Sequence, residues 1–112
     1  FRLKTTLETF CYNTRVSKDK KKLLIGRPFE DDTCIRFTFG DFFKYLKSDD
    51  WIITADLTHQ MLKKINGVAR EKFHIKEGVK RWVYVLNKEK FESEPEVQQE
   101  VSDYSNKDEG AF

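Results

Sequence analysis

The residues best equipped for chemistry in this chain are hydrogen-bond donors and cations rather than nucleophiles. Thr58, His59, Gln60, Lys63 and Lys64 share a stretch in which Leu57, Met61, Leu62 and Ile65 recur at helical spacing. A helix that turns this apolar stripe to a core leaves the five polar side chains outward. Such a face can hydrogen-bond base edges and neutralise phosphates, and it carries no acid. Lys76, Lys80 and Arg81 flank the tight turn Glu77-Gly78 and give a second basic site suited to phosphate oxygens. Singly, each has an ordinary structural role. Lysines complement a helix C-terminus, and they protect an edge strand from pairing with another chain. Their combination is what points to nucleic acid.

Catalytic chemistry finds no comparable support. The glycines at 26, 40, 67, 78 and 110 are scattered singly, so no phosphate-cradling loop is present. Asp31-Asp32 and Asp49-Asp50 are adjacent pairs in turn-like sequence, and successive side chains diverge rather than converge on a cation. His59 and His74 have no Cys or carboxylate at ligand spacing, and Cys11 and Cys34 form no paired motif. Both cysteines read as free thiols in or near a core. The expectation is a non-enzyme with no metal, no cofactor and no small-molecule substrate.

The elements that must position the polar groups follow from periodicity. Leu3, Leu7, Phe10 and Cys11 mark one face of an N-terminal helix over residues 1–15. Ile35, Phe37 and Phe39 alternate with Arg36 and Thr38 as in a half-buried strand. After Gly40-Asp41 the period lengthens, and Phe42, Phe43 and Leu46 predict a short helix, with Trp51-Ile52-Ile53 crossing to the next. Thr54 as N-cap, Asp56 in the first turn and Asn66-Gly67 as the stop delimit a helix over 54–65. Phe73 and Ile75, the turn at Glu77-Gly78, and Trp82, Tyr84 and Leu86 on one face predict a β-hairpin.

Helix, strand, helix, turn, helix, hairpin is the element order of an α+β winged helix-turn-helix, with the hairpin as the wing. Charge adds to this. Residues 1–87 hold 18 Lys and Arg against 11 Asp and Glu, whereas residues 88–112 hold 3 against 8. The division is therefore a basic winged-helix-like domain at 1–87 and a disordered acidic tail at 88–112.

The run Phe37-Thr38-Phe39-Gly40-Asp41-Phe42-Phe43-Lys44-Tyr45-Leu46-Lys47, then Asp50-Trp51, then a helix and a basic hairpin through Arg81-Trp82-Val83-Tyr84-Val85, resembles a known module. It is similar to the C-terminal winged-helix region of phage and plasmid primase–helicase or primase–polymerase proteins, over residues 35–86. The resemblance implies an accessory domain of a DNA replication protein that contacts DNA through helix 54–65 and the wing. Any ATPase or polymerase site would then lie upstream of Phe1. The missing initiator Met and signal peptide read as a fragment or a processed chain, and the location expected is the cytoplasm, that of the host if phage-encoded. No membrane partner is expected.

The tail resembles the acidic, Phe-terminated tails of single-stranded-DNA-binding proteins and some replicative helicases. That resemblance implies docking of Asp103, Asp108, Glu109 and Phe112 into a basic, apolar pocket on a replication partner. The alternative function is accordingly a protein-interaction module that packs on a helicase core or recruits a partner through the tail. A third possibility is a β-rich single-strand binder stacking bases on Phe73, Trp82 and Tyr84.

Overall fold

The expected N-terminal face is the buried one: Leu3, Leu7, Phe10 and Cys11 on α1 (Arg2–Tyr12) are all within the core. The structure is a computed structural model and describes residues 2–13 and 15–93. After α1, Asp19 caps a 3-10 helix, Lys20–Ile25, by accepting from the Lys21 N–H, and Gly26 closes it in a left-handed conformation. Only Leu23 of this helix is buried. The chain then forms β1 (Phe29–Glu30), β2 (Cys34–Phe37), α2 (Phe39–Lys47), α3 (Ala55–Lys63), β3 (Val68–Lys76), β4 (Val79–Asn87) and α4 (Lys88–Glu92).

The fold is thus mixed α and β, with one four-stranded antiparallel sheet ordered β1-β2-β4-β3 among the described residues. Placing β4 between β2 and β3 pairs Ile35 with Leu86 and Phe37 with Tyr84. These four face the helices and join Phe10, Phe42, Leu46, Leu62 and Ile65 in the main core. Phe10, Phe37 and Phe42 meet edge-on or tilted at 5.3–5.8 Å between centroids, the geometry that aromatic quadrupoles favour. β2 ends earlier than the alternation implies, because Phe39 already belongs to α2. Thr38 occupies its N-cap position, and the Thr38 hydroxyl donates to Asp41 in the first turn.

The other face of the sheet is sealed differently. Leu23, Ile75 and Val83 are buried there, and Phe29 stacks on Phe73 at 5.9 Å. Arg36 lies over the Phe73 ring at 4.6 Å and donates to Asp31 (2.6 Å) and Glu71 (2.8 Å). Burial would raise the Asp31 carboxyl, but the Arg36 bond and the Thr33 and Cys34 N–H groups outweigh it and hold it at about 2.

Three expectations need correction. Residues 88–92, which composition assigns to a disordered tail, form α4 with Asn87 as its N-cap, and Phe91 is only 3% exposed. Tyr12 stacks on Phe91 and donates to Glu92 at 2.8 Å, so α4 closes the core against α1. A single well-placed aromatic outweighs the local polarity here. Leu57 is 51% exposed, because α3 turns Thr58 and Leu62 inward instead, with Ile65 buried in the turn that follows. Trp82 is 56% exposed rather than part of the core face, since the helices cover β4 only as far as Tyr84 and Leu86.

Gly67 fixes where α4 can dock. Its φ is +88°, and an added Cβ would sit 2.8 Å from the Phe91 backbone nitrogen. The Asn87 N–H donates to the Gly67 carbonyl at 2.7 Å, and Asn66 donates to the Lys90 carbonyl. Gly78 has φ +76° but open space around it. Both Gly→Ala variants lose about 1–2 kcal/mol to left-handed backbone. Gly67→Ala must lose more, because α4 has to move. Urea unfolding of the two variants checks this: equal midpoints would mean that α4 does not pack against the 66–67 turn.

Candidate nucleic-acid interface

Thr58 does not reach a surface. It is fully buried, accepts from the Trp51 indole N–H at 2.9 Å and donates to the Thr54 carbonyl at 2.7 Å. Trp51 is itself buried, and its N–H must find an acceptor there. A threonine one helical turn beyond the N-cap supplies it. Thr58 is therefore removed from the candidate interface. Thr54 performs its expected role, its hydroxyl accepting from the Leu57 N–H at 3.3 Å.

His59 is half-buried and structural on one side. Its ring stacks on Phe39 at 3.6 Å between centroids, and Nδ1 is 2.6 Å from the Tyr84 hydroxyl. Burial lowers the His59 pKa below its ordinary value. The cationic fields of Arg70 and Lys63 lower it further, against a small opposing effect of Asp56. Those fields come from β3 and α3 alike, so the two elements present one positive junction at His59. Gln60, Lys63 and Lys64 are exposed beside it, as expected for the outward face.

On the hairpin, strand alternation sorts the side chains. Arg70 opposes Tyr84, Lys72 opposes Trp82, and His74 opposes Lys80. These residues share the side of the sheet that faces the helices, and all but the buried Tyr84 are exposed there. Arg70 places its guanidinium 5.2 Å from the Trp82 ring centroid and 5.7 Å from that of Tyr84. Arg81 opposes Phe73 and belongs to the other side, so Lys80 and Arg81 leave the sheet from opposite faces. Lys76 is exposed past the irregularity between His74 and Lys76, where the register shifts.

The surface assembled in this way is Gln60, Lys63 and Lys64 at the end of α3, continued by Arg70, Lys72, Lys80 and Trp82. Arg70 and Lys72 escape a motif reading because β3 begins at Val68, well before Phe73. The alternation of Arg70, Lys72 and His74 with Glu71, Phe73 and Ile75 is the signal that marks them. Of the three candidate stacking aromatics, Tyr84 is buried and Phe73 is covered by Phe29 and Arg36, which leaves Trp82. Asp103, Asp108, Glu109 and Phe112 lie outside the described residues. Among the described residues no three His, Cys, Asp or Glu side chains converge as metal ligands, and no helix is long and apolar enough to cross a membrane. Comparison with protein-family models, curated proteins and solved structures returns no match.

The lowered His59 pKa has a thermodynamic consequence. Where the folded value lies below the unfolded one, the unfolded chain binds more protons, so stability rises with pH through that window. The contribution is complete above about pH 6.5, the unfolded value. It is lost as pH falls towards the folded value. The gap in urea midpoint between wild type and His59→Gln, which also loses the Phe39 stack and the Tyr84 contact, should be constant above about pH 6.5 and should narrow as pH falls below it. An imidazole that titrates at or above its ordinary value by NMR would contradict the buried, stacked environment.

Proposed function

We propose that this chain is a winged-helix module that binds DNA through the C-terminal end of α3 and the helix-side face of the β3–β4 hairpin. The observation that carries the reading is a set of exposed cations, Lys63 and Lys64 at the end of α3 and Arg70, Lys72 and Lys80 on one side of the hairpin, with Lys63 and Arg70 both acting on His59 between them. The one acid in the middle of β3, Glu71, is turned to the opposite face and held by Arg36. Phosphate neutralisation by such a surface releases counterions and supplies sequence-independent affinity.

The winged-helix assignment is supported by the element order and by β4 lying between β2 and β3, which lets the hairpin extend from the helical core beside α3. The resemblance of residues 35–86 to the winged-helix regions of primase–helicase proteins makes replication the context we favour. A second reading, docking on a protein partner, draws on Ile52, 93% exposed in the segment before α3, and on Leu57, exposed in the first turn of α3. These aliphatics lie at the opposite end of α3 from Lys63, so the two readings use different surfaces.

Lys63→Ala combined with Lys64→Ala should weaken binding of a fluorescent duplex and reduce its salt slope by about 0.9 for each phosphate no longer neutralised. Arg70→Ala with Lys72→Ala should act in the same direction. Lys44→Ala with Lys47→Ala removes the same charge from α2 and should have the smaller effect. Anisotropy titrations at several salt concentrations decide the matter. Unchanged affinity and slope in the first two double variants would reject the DNA-binding role and favour the protein-docking one.

A further inference from the structure

Trp82 is the exposed large apolar side chain of the hairpin, whereas Phe73, Ile75, Tyr84 and Leu86 are buried or half-buried. Leaving an indole in water forfeits the stabilisation its burial would bring. Its surroundings do not offer an apolar partner either. Lys72 is its cross-strand neighbour, Lys80 lies two residues away on the same face, and Arg70 packs its guanidinium against the ring. The contact with Arg70 also ties Trp82 to Tyr84, which the same guanidinium approaches, and Tyr84 is fixed by His59. The ring is thus held from within the sheet and flanked by cations.

An occupant of this platform must offer a flat π-face together with negative charge on either side. We infer that Trp82 stacks an unpaired nucleobase, so that the hairpin holds single-stranded nucleic acid with Arg70, Lys72 and Lys80 on its phosphates. The inference rests on the nucleic-acid reading above and narrows it. A duplex satisfies the chemistry less well, because each base already has both faces stacked and opening a step costs a few kcal/mol. An unpaired base presents a free face, and stacking on an aromatic side chain tolerates any base. An acidic protein segment would satisfy the lysines and leave the indole's preference for a flat ring unused.

The test uses the full chain and three fluorescein-labelled probes: a short oligo-dT strand, an abasic strand of the same length, and a duplex. Trp82→Ala should weaken oligo-dT binding about 5- to 150-fold, the range expected for removal of one base–aromatic stack. Trp82→Phe should restore part of it. Binding of the abasic strand and the duplex should stay within about twofold of wild type, since their phosphates meet the same cations. A urea midpoint equal to wild type verifies that the exposed ring is not needed for folding. Equal weakening on the oligo-dT and abasic strands would mean that the ring only buttresses Arg70, and would overturn the inference. Equal weakening on duplex would assign the ring to duplex instead and overturn it too. If Trp82→Ala changes nothing while Lys63→Ala with Lys64→Ala still weakens binding, stacking is rejected and the DNA-binding module survives. If wild type binds none of the three probes, the module reading itself fails.

Discussion

The hydroxyl of Tyr84 is the constraint on which the useful geometry depends. The side chain is 1% exposed on the central strand, where a phenol without a hydrogen-bond partner would cost about 1–3 kcal/mol. His59 provides the partner, and with it the angular position of α3 against the sheet. Phe37 packs on one side of the Tyr84 ring at 5.7 Å, and Phe39 orients the imidazole by stacking. One polar atom, buried by the apolar demands of the sheet, therefore aligns the basic end of α3 with the basic face of the hairpin.

The second organising effect is the strand period. β3 and β4 are longer than the helical layer that covers them, so a single face passes from core to solvent along its length. Tyr84 and Leu86 belong to the core, while Trp82 and Lys80 continue the same row outside it. Alternation sends Glu71 to the opposite side, where Arg36 neutralises it together with Asp31. Glu71 is thereby kept off the helix-side row of cations on β3 without any special device. This needs only that acids and cations on β3 differ by one position.

How far the fold and the basic surface are legible in the sequence depends on whether the deciding contact is local. Leu3, Leu7, Phe10 and Cys11 announce α1 by spacing, and Thr54 opens α3 through capping, both local rules. Helix α3 ends earlier than Asn66-Gly67 suggests, at Lys63 with Lys64 as a right-handed C-cap, and the left-handed Gly67 serves the turn into β3 instead. Thr58 reads as an outward group because its inward turn answers the N–H of Trp51, seven residues away and on no repeating pattern. Phe91 reads as tail because its burial depends on Tyr12 and on the space left by Gly67, partners distant in sequence. Alternation predicts the faces of the hairpin, but where the helices stop covering them is a property of layer sizes. That Trp82, and not Phe73 or Tyr84, is the exposed one of the three aromatics, with Arg70 over its ring, consequently emerges only in three dimensions.

The two tryptophans end up in opposite surroundings, and this gives the protein a pair of intrinsic optical reporters. Trp51 is enclosed with its N–H bonded to Thr58 at the joint of α2 and α3, whereas Trp82 stands in solvent on the hairpin. An aqueous quencher reaches the second and not the first. Emission can therefore be divided into a component that follows the integrity of the helical core and one that follows events on the hairpin. Unfolding and surface occupancy can be watched separately in the unlabelled chain.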